Sequence, residues 1–135
     1  MGLIYADIEL TNPRREEMAG LTVHALVDTG AMTLCIPQHV ATQLDLREIE
    51  RREVTTVDGR SQLVAYVGPI QVHFENRSCF TGALVLGETP LMGAVPMEDM
   101  DLVVSPSRRT VTVNPTSPNI PSAPVMAGRV ERARG

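Results

Sequence analysis

The chain has 135 residues, of which 43% are hydrophobic but only 3% aromatic, and its formal net charge is -4. Those figures fit one globular domain, exclude two comparable lobes or a disordered chain, and require a core built from Val, Leu, Ile, Met and Ala. The acidic balance disfavours a nucleic-acid partner, no apolar run approaches the roughly 20 residues of a membrane helix, and MGLIYADIEL lacks the regions of a signal peptide; a cytoplasmic protein with no membrane partner is expected.

Short runs of Val, Ile, Leu and Thr, separated by Asn-Pro, Asp-Gly, Gly-Pro and Gly-Glu-Thr-Pro, predict an all-β fold of many short strands joined by turns. In chain order, strands are expected near Leu3–Leu10, Leu21–Val27, Thr33–Ile36, Arg52–Val57, Gln62–Val67, Ile70–Phe74, Cys79–Leu86, Leu102–Val104 and Thr110–Val113. Thr11–Gly20 reads as a long polar loop. A short helix is expected over Gln38–Leu46, where Val40, Ala41 and Leu44 recur at helical spacing after Pro37, and a single turn over Met97–Met100 after Pro96. The charged stretches Arg14–Glu17 and Arg47–Glu53 mix both signs and read as solvated surface. From Pro115 to Gly135 the chain is rich in Pro, Ser and Ala and has no periodicity, which predicts a flexible tail behind a folded domain of residues 1–114.

The candidate chemistry lies in Ala25-Leu26-Val27-Asp28-Thr29-Gly30-Ala31, an apolar strand that runs straight into a carboxylate, a hydroxyl and a glycine. An Asp at the end of a buried strand is costly unless it is hydrogen-bonded or functional. Gly30 lets the backbone turn sharply and lets peptide N–H groups approach that carboxylate. Taken alone, Asp-Thr-Gly is a weak signal, and a surface turn is a serious competing reading. A second segment far downstream, Thr89-Pro90-Leu91-Met92-Gly93, places two apolar residues against a glycine ahead of a short helix.

Together these two segments resemble the retropepsin-like aspartic proteases, and most closely the small single-domain bacterial members. The likeness runs from about Leu3 to Asn114 and includes Pro37 with the helix after it, Asp58-Gly59 at a hairpin tip, and Met97–Val104 before a last strand. The resemblance implies a closed β-barrel of the acid protease fold with one or two short helices, forming half of a two-fold symmetric dimer. It implies catalysis by Asp28 supported by Thr29 and Gly30, with Thr29 bonding across the dimer to the opposite loop. It further implies a ψ-shaped crossing of Leu91, Met92 and Gly93 behind the Asp28 loop, and substrate contacts from Ala31 and from Val57, Asp58 and Gly59 of a flap. This hairpin has a single glycine and charged neighbours where viral members are glycine-rich, so an ordinary surface turn is the competing reading.

Peptide hydrolysis by carboxylates needs a base to activate water and an acid to protonate the carbonyl oxygen or leaving amine, so two carboxyls must meet at one site. Only Asp28 stands in the motif; Asp7, Asp45, Asp58, Asp99 and Asp101 lack its surroundings. The second Asp28 must then come from another copy across a two-fold axis. The expected function is a homodimeric aspartic endopeptidase acting on peptide or protein substrates with an acidic optimum. The alternative is a catalytically weak dimer of the same fold serving as a peptide-binding or assembly module. His24, His39 and His73 show no zinc-site spacing and neither Cys35 nor Cys79 sits in a C-x-x-C pair, so no metal or other cofactor is expected. Cys35 with a histidine is a conceivable thiol protease, but lone thiols on apolar strands are more often core residues.

Overall fold

The computed structural model describes residues 2–125. Nine strands and two short helices follow in chain order: β1 Tyr5–Thr11, β2 Leu21–Val27, β3 Leu34–Ile36, α1 Gln38–Gln43, β4 Arg47–Thr55, β5 Ser61–Phe74, β6 Arg77–Val85, β7 Leu91–Met92, α2 Ala94–Asp99, β8 Leu102–Ser105 and β9 Thr110–Val113. The fold is all-β, as the turn-punctuated apolar runs predict. Among the described residues no helix is long and apolar enough to cross a membrane.

Seven strands form one sheet in the order β1-β2-β7-β3-β6-β5-β4, and a further pairing of β1 with β5 curls six of them into a barrel. Closure depends on β5, which serves two partners on one side. Its first half pairs with β4 from Ser61 to Gly68, while Gln71–His73 pair with Thr11–Glu9 of β1. The sequence predicts two strands here, split at Gly68-Pro69; one continuous strand forms instead. The ladder with β6 shifts register between Val67 and Ile70, so Pro69, which has no N–H to donate, falls where regular pairing is already interrupted.

Alternation sets the inward face. In β1, Ala6, Ile8 and Leu10 are buried while Tyr5, Asp7 and Glu9 face out; in β5, Ile70, Val72 and Phe74 point inward. The interior is aliphatic, with Leu34, Ile36, Val40 and Leu44 from the β3–α1 region, and Met92, Met97 and Met100 fill it in place of aromatic rings. The hairpin β8–β9 adds Leu102 and Val111 to the same core.

β4 begins five residues before the expected start at Arg52. Every residue from Arg47 to Glu53 is exposed, and surface pairs such as Arg52–Glu50 at 2.7 Å line it, so it carries no alternation for the sequence pattern to reveal. It is an edge strand bonded only to β5, and dense charge is a common way to protect such an edge.

The Thr11–Gly20 loop is anchored by buried Asn12. Its side-chain amide donates to the Leu44 and Asp45 carbonyls at 2.9 and 3.2 Å, satisfying the end of α1, and its Oδ1 accepts from Arg14 N–H. Beyond β9, residues 114–122 lie against the body. Asp101 accepts hydrogen bonds from Asn114, from the Ser117 hydroxyl and from Ser122 N–H, Asn76 reaches the Pro118 carbonyl at 2.9 Å, and the buried Arg77 donates to the Ser117 carbonyl. The remainder of the predicted tail, from Met126 on, is outside the described residues.

Candidate active site

β2 delivers Asp28 at its carboxyl end, and the loop Asp28–Thr33 turns back into β3. Ala31 N–H donates to the Asp28 carbonyl at 3.1 Å, closing the turn, and Gly30 N–H donates to Asp28 Oδ1 at 2.9 Å. A Cβ on Gly30 would sit 3.1 Å from that same oxygen and crowd the carboxylate. At this glycine, then, a peptide N–H lies directly against the carboxylate.

Behind the loop runs the second segment. β7 lies between β2, with which it pairs in parallel through Leu26–Leu91 and Val27–Met92, and β3, with which it pairs antiparallel through Cys35–Leu91. Asp28 N–H donates to the Met92 carbonyl at 3.1 Å and Leu26 N–H to the Pro90 carbonyl at 2.9 Å. Past the crossing, N–H groups of Gly93, Ala94 and Val95 donate to the carbonyls of Thr33, Ala31 and Met32 at 3.1, 2.8 and 2.8 Å. The first turn of α2, which would otherwise leave N–H groups unpaired, is capped by the Asp28 loop. Gly93 allows this: a Cβ there would stand 2.5 Å from the Thr33 carbonyl oxygen and 2.7 Å from that of Ala31.

Leu91, Met92 and Gly93 thus lie against the Asp28 loop, with Met92 fully buried. Ala31, expected beside substrate, has both its N–H and its carbonyl committed to holding the crossing together. The strand feeding the site is buried at Ala25, yet Asp28, Thr29 and Gly30 all emerge into solvent. A single chain therefore does not provide the desolvated setting expected around the carboxylate. Three exposed apolar residues that sequence reading passed over lie close by: Leu3, whose neighbour Ile4 accepts from Val27 N–H, together with Met32 and Val95. Isolated exposed side chains leave no periodic signal, so only the folded arrangement groups them.

The hairpin β4–β5 turns at Thr56–Arg60 and puts Val57, Asp58 and Gly59 at its tip, where Val57 is fully exposed. The turn is tied by its own polar groups: Thr56 N–H donates to the Arg60 carbonyl at 2.8 Å, Gly59 N–H to the Thr56 carbonyl at 2.9 Å, and the Thr56 hydroxyl donates to Asp58. That hydroxyl and the Arg60 N–H hold the Asp58 carboxyl below its ordinary pKa. Gly59 adopts a φ of +84°, the left-handed conformation that glycine accepts without strain. No hydrogen bond joins this tip to the Asp28 loop among the described residues.

The other polar candidates are dispersed. Burial, and then the negative charge of Asp28, push the Cys35 thiol above its ordinary pKa, opposite to what a thiolate nucleophile needs. Cys79 is pushed up to about 12, chiefly by burial and then by Asp99. His24 bonds Asp7 at 2.8 Å and stacks on Tyr5 on the outer face of β1–β2, while His73 meets the Thr11 hydroxyl at 3.5 Å. Among the described residues no three His, Cys, Asp or Glu side chains gather as a metal site.

Residues 16–95 match the model of the family described as "gag-polyprotein putative aspartyl protease", a span that holds the Asp28 loop, the hairpin and the Leu91–Gly93 crossing. The chain belongs to that family. The retropepsin-like resemblance carried by Asp28-Thr29-Gly30 and Leu91-Met92-Gly93 is thereby placed on the whole central region. Among solved structures, the protease of simian foamy virus (mac) is similar at 20% identity and a TM-score of 0.47, over 69% of this chain and 90% of that one. No protein with a curated description matches.

Proposed function

We propose that this aspartyl protease family member is an endopeptidase whose active site is completed by a second copy of the chain. The observation that carries the reading is a loop built to hold one carboxylate in place: Asp28 at a strand end, its Oδ1 bonded by Gly30 N–H and its own N–H bonded to the crossing strand. One such loop supplies one carboxyl, and the chemistry takes two. The exposed Leu3, Met32 and Val95 around it support burial of this face against a partner. In a two-fold dimer each chain presents the same loop, and Thr29, exposed in the single chain, would reach the facing backbone.

Two carboxyls in contact cannot both ionise, so the pair carries one proton between them. The charged member takes a proton from water as its oxygen attacks the peptide carbonyl carbon, and the neutral member gives its proton to the carbonyl oxygen. The resulting tetrahedral diol then collapses: one hydroxyl proton returns to the carboxylate pair, the nitrogen is protonated, and the C–N bond breaks. The hairpin tip at Val57–Gly59 would cover an extended substrate held by main-chain bonds.

The reading is tested by incubating a diverse peptide library near pH 5 with wild-type protein and with Asp28→Asn, measuring dimer content in both. Cleavage by wild type, blocked by a pepstatin-type transition-state mimic and lost in a variant that still dimerises, is the expected result. A well-folded wild-type dimer that binds peptides but cuts none across the pH range would instead establish the binding-module reading.

A further inference from the structure

The hairpin joins the barrel by an unusual arrangement. β6 pairs with β5 only as far as Tyr66, opposite Leu84, so the stretch from Ser61 to Ala65 is paired with β4 alone among the described residues. Past Val64, which is still buried, the hairpin is a two-stranded arm whose residues Thr55–Leu63 are all exposed, a form with little stability of its own in water. At its root both ladders are irregular: β4–β5 shifts register between Glu48 and Glu50, and β5–β6 between Val67 and Ile70. Interrupted pairing on both sides of one strand is where a rigid-body swing of the arm meets least resistance.

One side chain spans that root. The Tyr66 ring receives the Arg52 guanidinium of β4 at 3.6 Å from its centroid, and Arg52 is held in turn by Glu50 at 2.7 Å. The phenol end of the same ring lies where a Cβ on Gly82 of β6 would be, at 2.3 to 2.5 Å, so only glycine admits it. Tyr66 therefore touches the arm, its own strand and the barrel wall together. We infer that the Arg52–Tyr66–Gly82 stack is the pivot that sets the pose of the substrate-covering arm, with Tyr66 as a positioning residue for the reaction and Gly82 as its seat.

This rests on the endopeptidase reading for its kinetic consequence but not for its structural one, so two measurements separate them. Hydrogen exchange of Tyr66→Leu should show arm amides opening about two- to fivefold more readily, the size of one exposed cation–π contact, with β1 and β2 unchanged. Tyr66→Phe, which keeps the ring face, should restore wild-type exchange. Gly82→Ala should loosen the arm in the wild-type background, because the methyl displaces the ring, and should add nothing to Tyr66→Leu. On a peptide that the wild type cuts, Tyr66→Leu should raise KM by a similar factor with kcat held, since an arm that covers bound substrate contributes binding common to ground and transition states. The pivot is overturned if Tyr66→Leu leaves arm exchange unchanged, if it accelerates exchange throughout the barrel, or if the Gly82→Ala effect persists in the double variant. A wild type that cuts nothing removes the endopeptidase reading while the exchange experiment still decides the pivot.

Discussion

The Asp28 loop and the β4–β5 arm are both turns at the ends of strands, yet the molecule builds them in opposite ways. The loop is sewn to β7 and α2 by backbone hydrogen bonds from Asp28, Gly93, Ala94 and Val95, over the buried Met92. The turn of the arm is tied only to itself, and residues Thr55–Leu63 are all exposed. Positioning of a reacting carboxyl tolerates little error, and a crossing fastened by several backbone hydrogen bonds supplies rigidity of that kind. If the arm covers substrate, as proposed, it has to admit a peptide and close again, which suits a weakly held part of the fold.

The largest effect should come from the loop. Asp28→Asn removes the titrating oxygen while keeping its shape, and cleavage of any wild-type substrate should fall roughly a hundred- to ten-thousandfold with dimer content preserved. Retained cleavage would move the chemistry elsewhere. Next is the crossing itself: Gly93→Ala drives a methyl against two carbonyl oxygens and should cost about 1–3 kcal/mol in urea unfolding, with an unchanged m-value. A neutral result would mean the loop and α2 can separate, and would erase the contrast with the arm.

A third experiment turns on pH. Hydrogen bonds from Ser117, then Asn114, then Ser122 N–H hold the Asp101 carboxyl down at about 2. Because this value is depressed, its stabilisation is complete above the ordinary Asp value of about 3.9 and is lost as pH falls through the range between the two. Protection of residues 114–122, measured as exchange relative to the intrinsic rate at each pH, should fall in the wild type between pH 4 and pH 2, whereas Asp101→Asn should be poorly protected throughout. The smallest effect on stability is expected at the arm tip, where Val57→Ser should stay within about 0.5 kcal/mol of wild type, since the side chain is fully exposed. If the arm covers substrate, the same substitution should nevertheless raise KM, and urea unfolding beside steady-state kinetics separates the two.

Much of this was legible along the chain. β2 and β9 fall where the apolar runs place them, and two of the glycines singled out, Gly30 and Gly93, are positions where a missing Cβ lets a carboxylate or backbone approach. α2 starts three residues before the expected Met97, because the carbonyls of Ala31, Met32 and Thr33 cap a turn with no side-chain cap of its own. α1 stops at Gln43, short of the expected Leu46, and Asp45 then adopts a positive φ of 52° as the chain turns into β4.

Local pattern therefore determined which residues face inward, which turns are tight, and that a lone Asp-Thr-Gly ends a half-buried strand. It could not determine partners. β7 is two residues long and is a strand only because β2 and β3 flank it; β4 is a charge-rich edge that alternation cannot mark; and the barrel closes because β5 turns from β4 to β1. Tyr66 and Gly82 lie 16 positions apart in sequence and are ordinary until the ring rests on the glycine. Periodicity records the burial of each side chain one strand at a time, whereas pairing, closure and stacking depend on contacts between distant segments that exist only once the chain has folded.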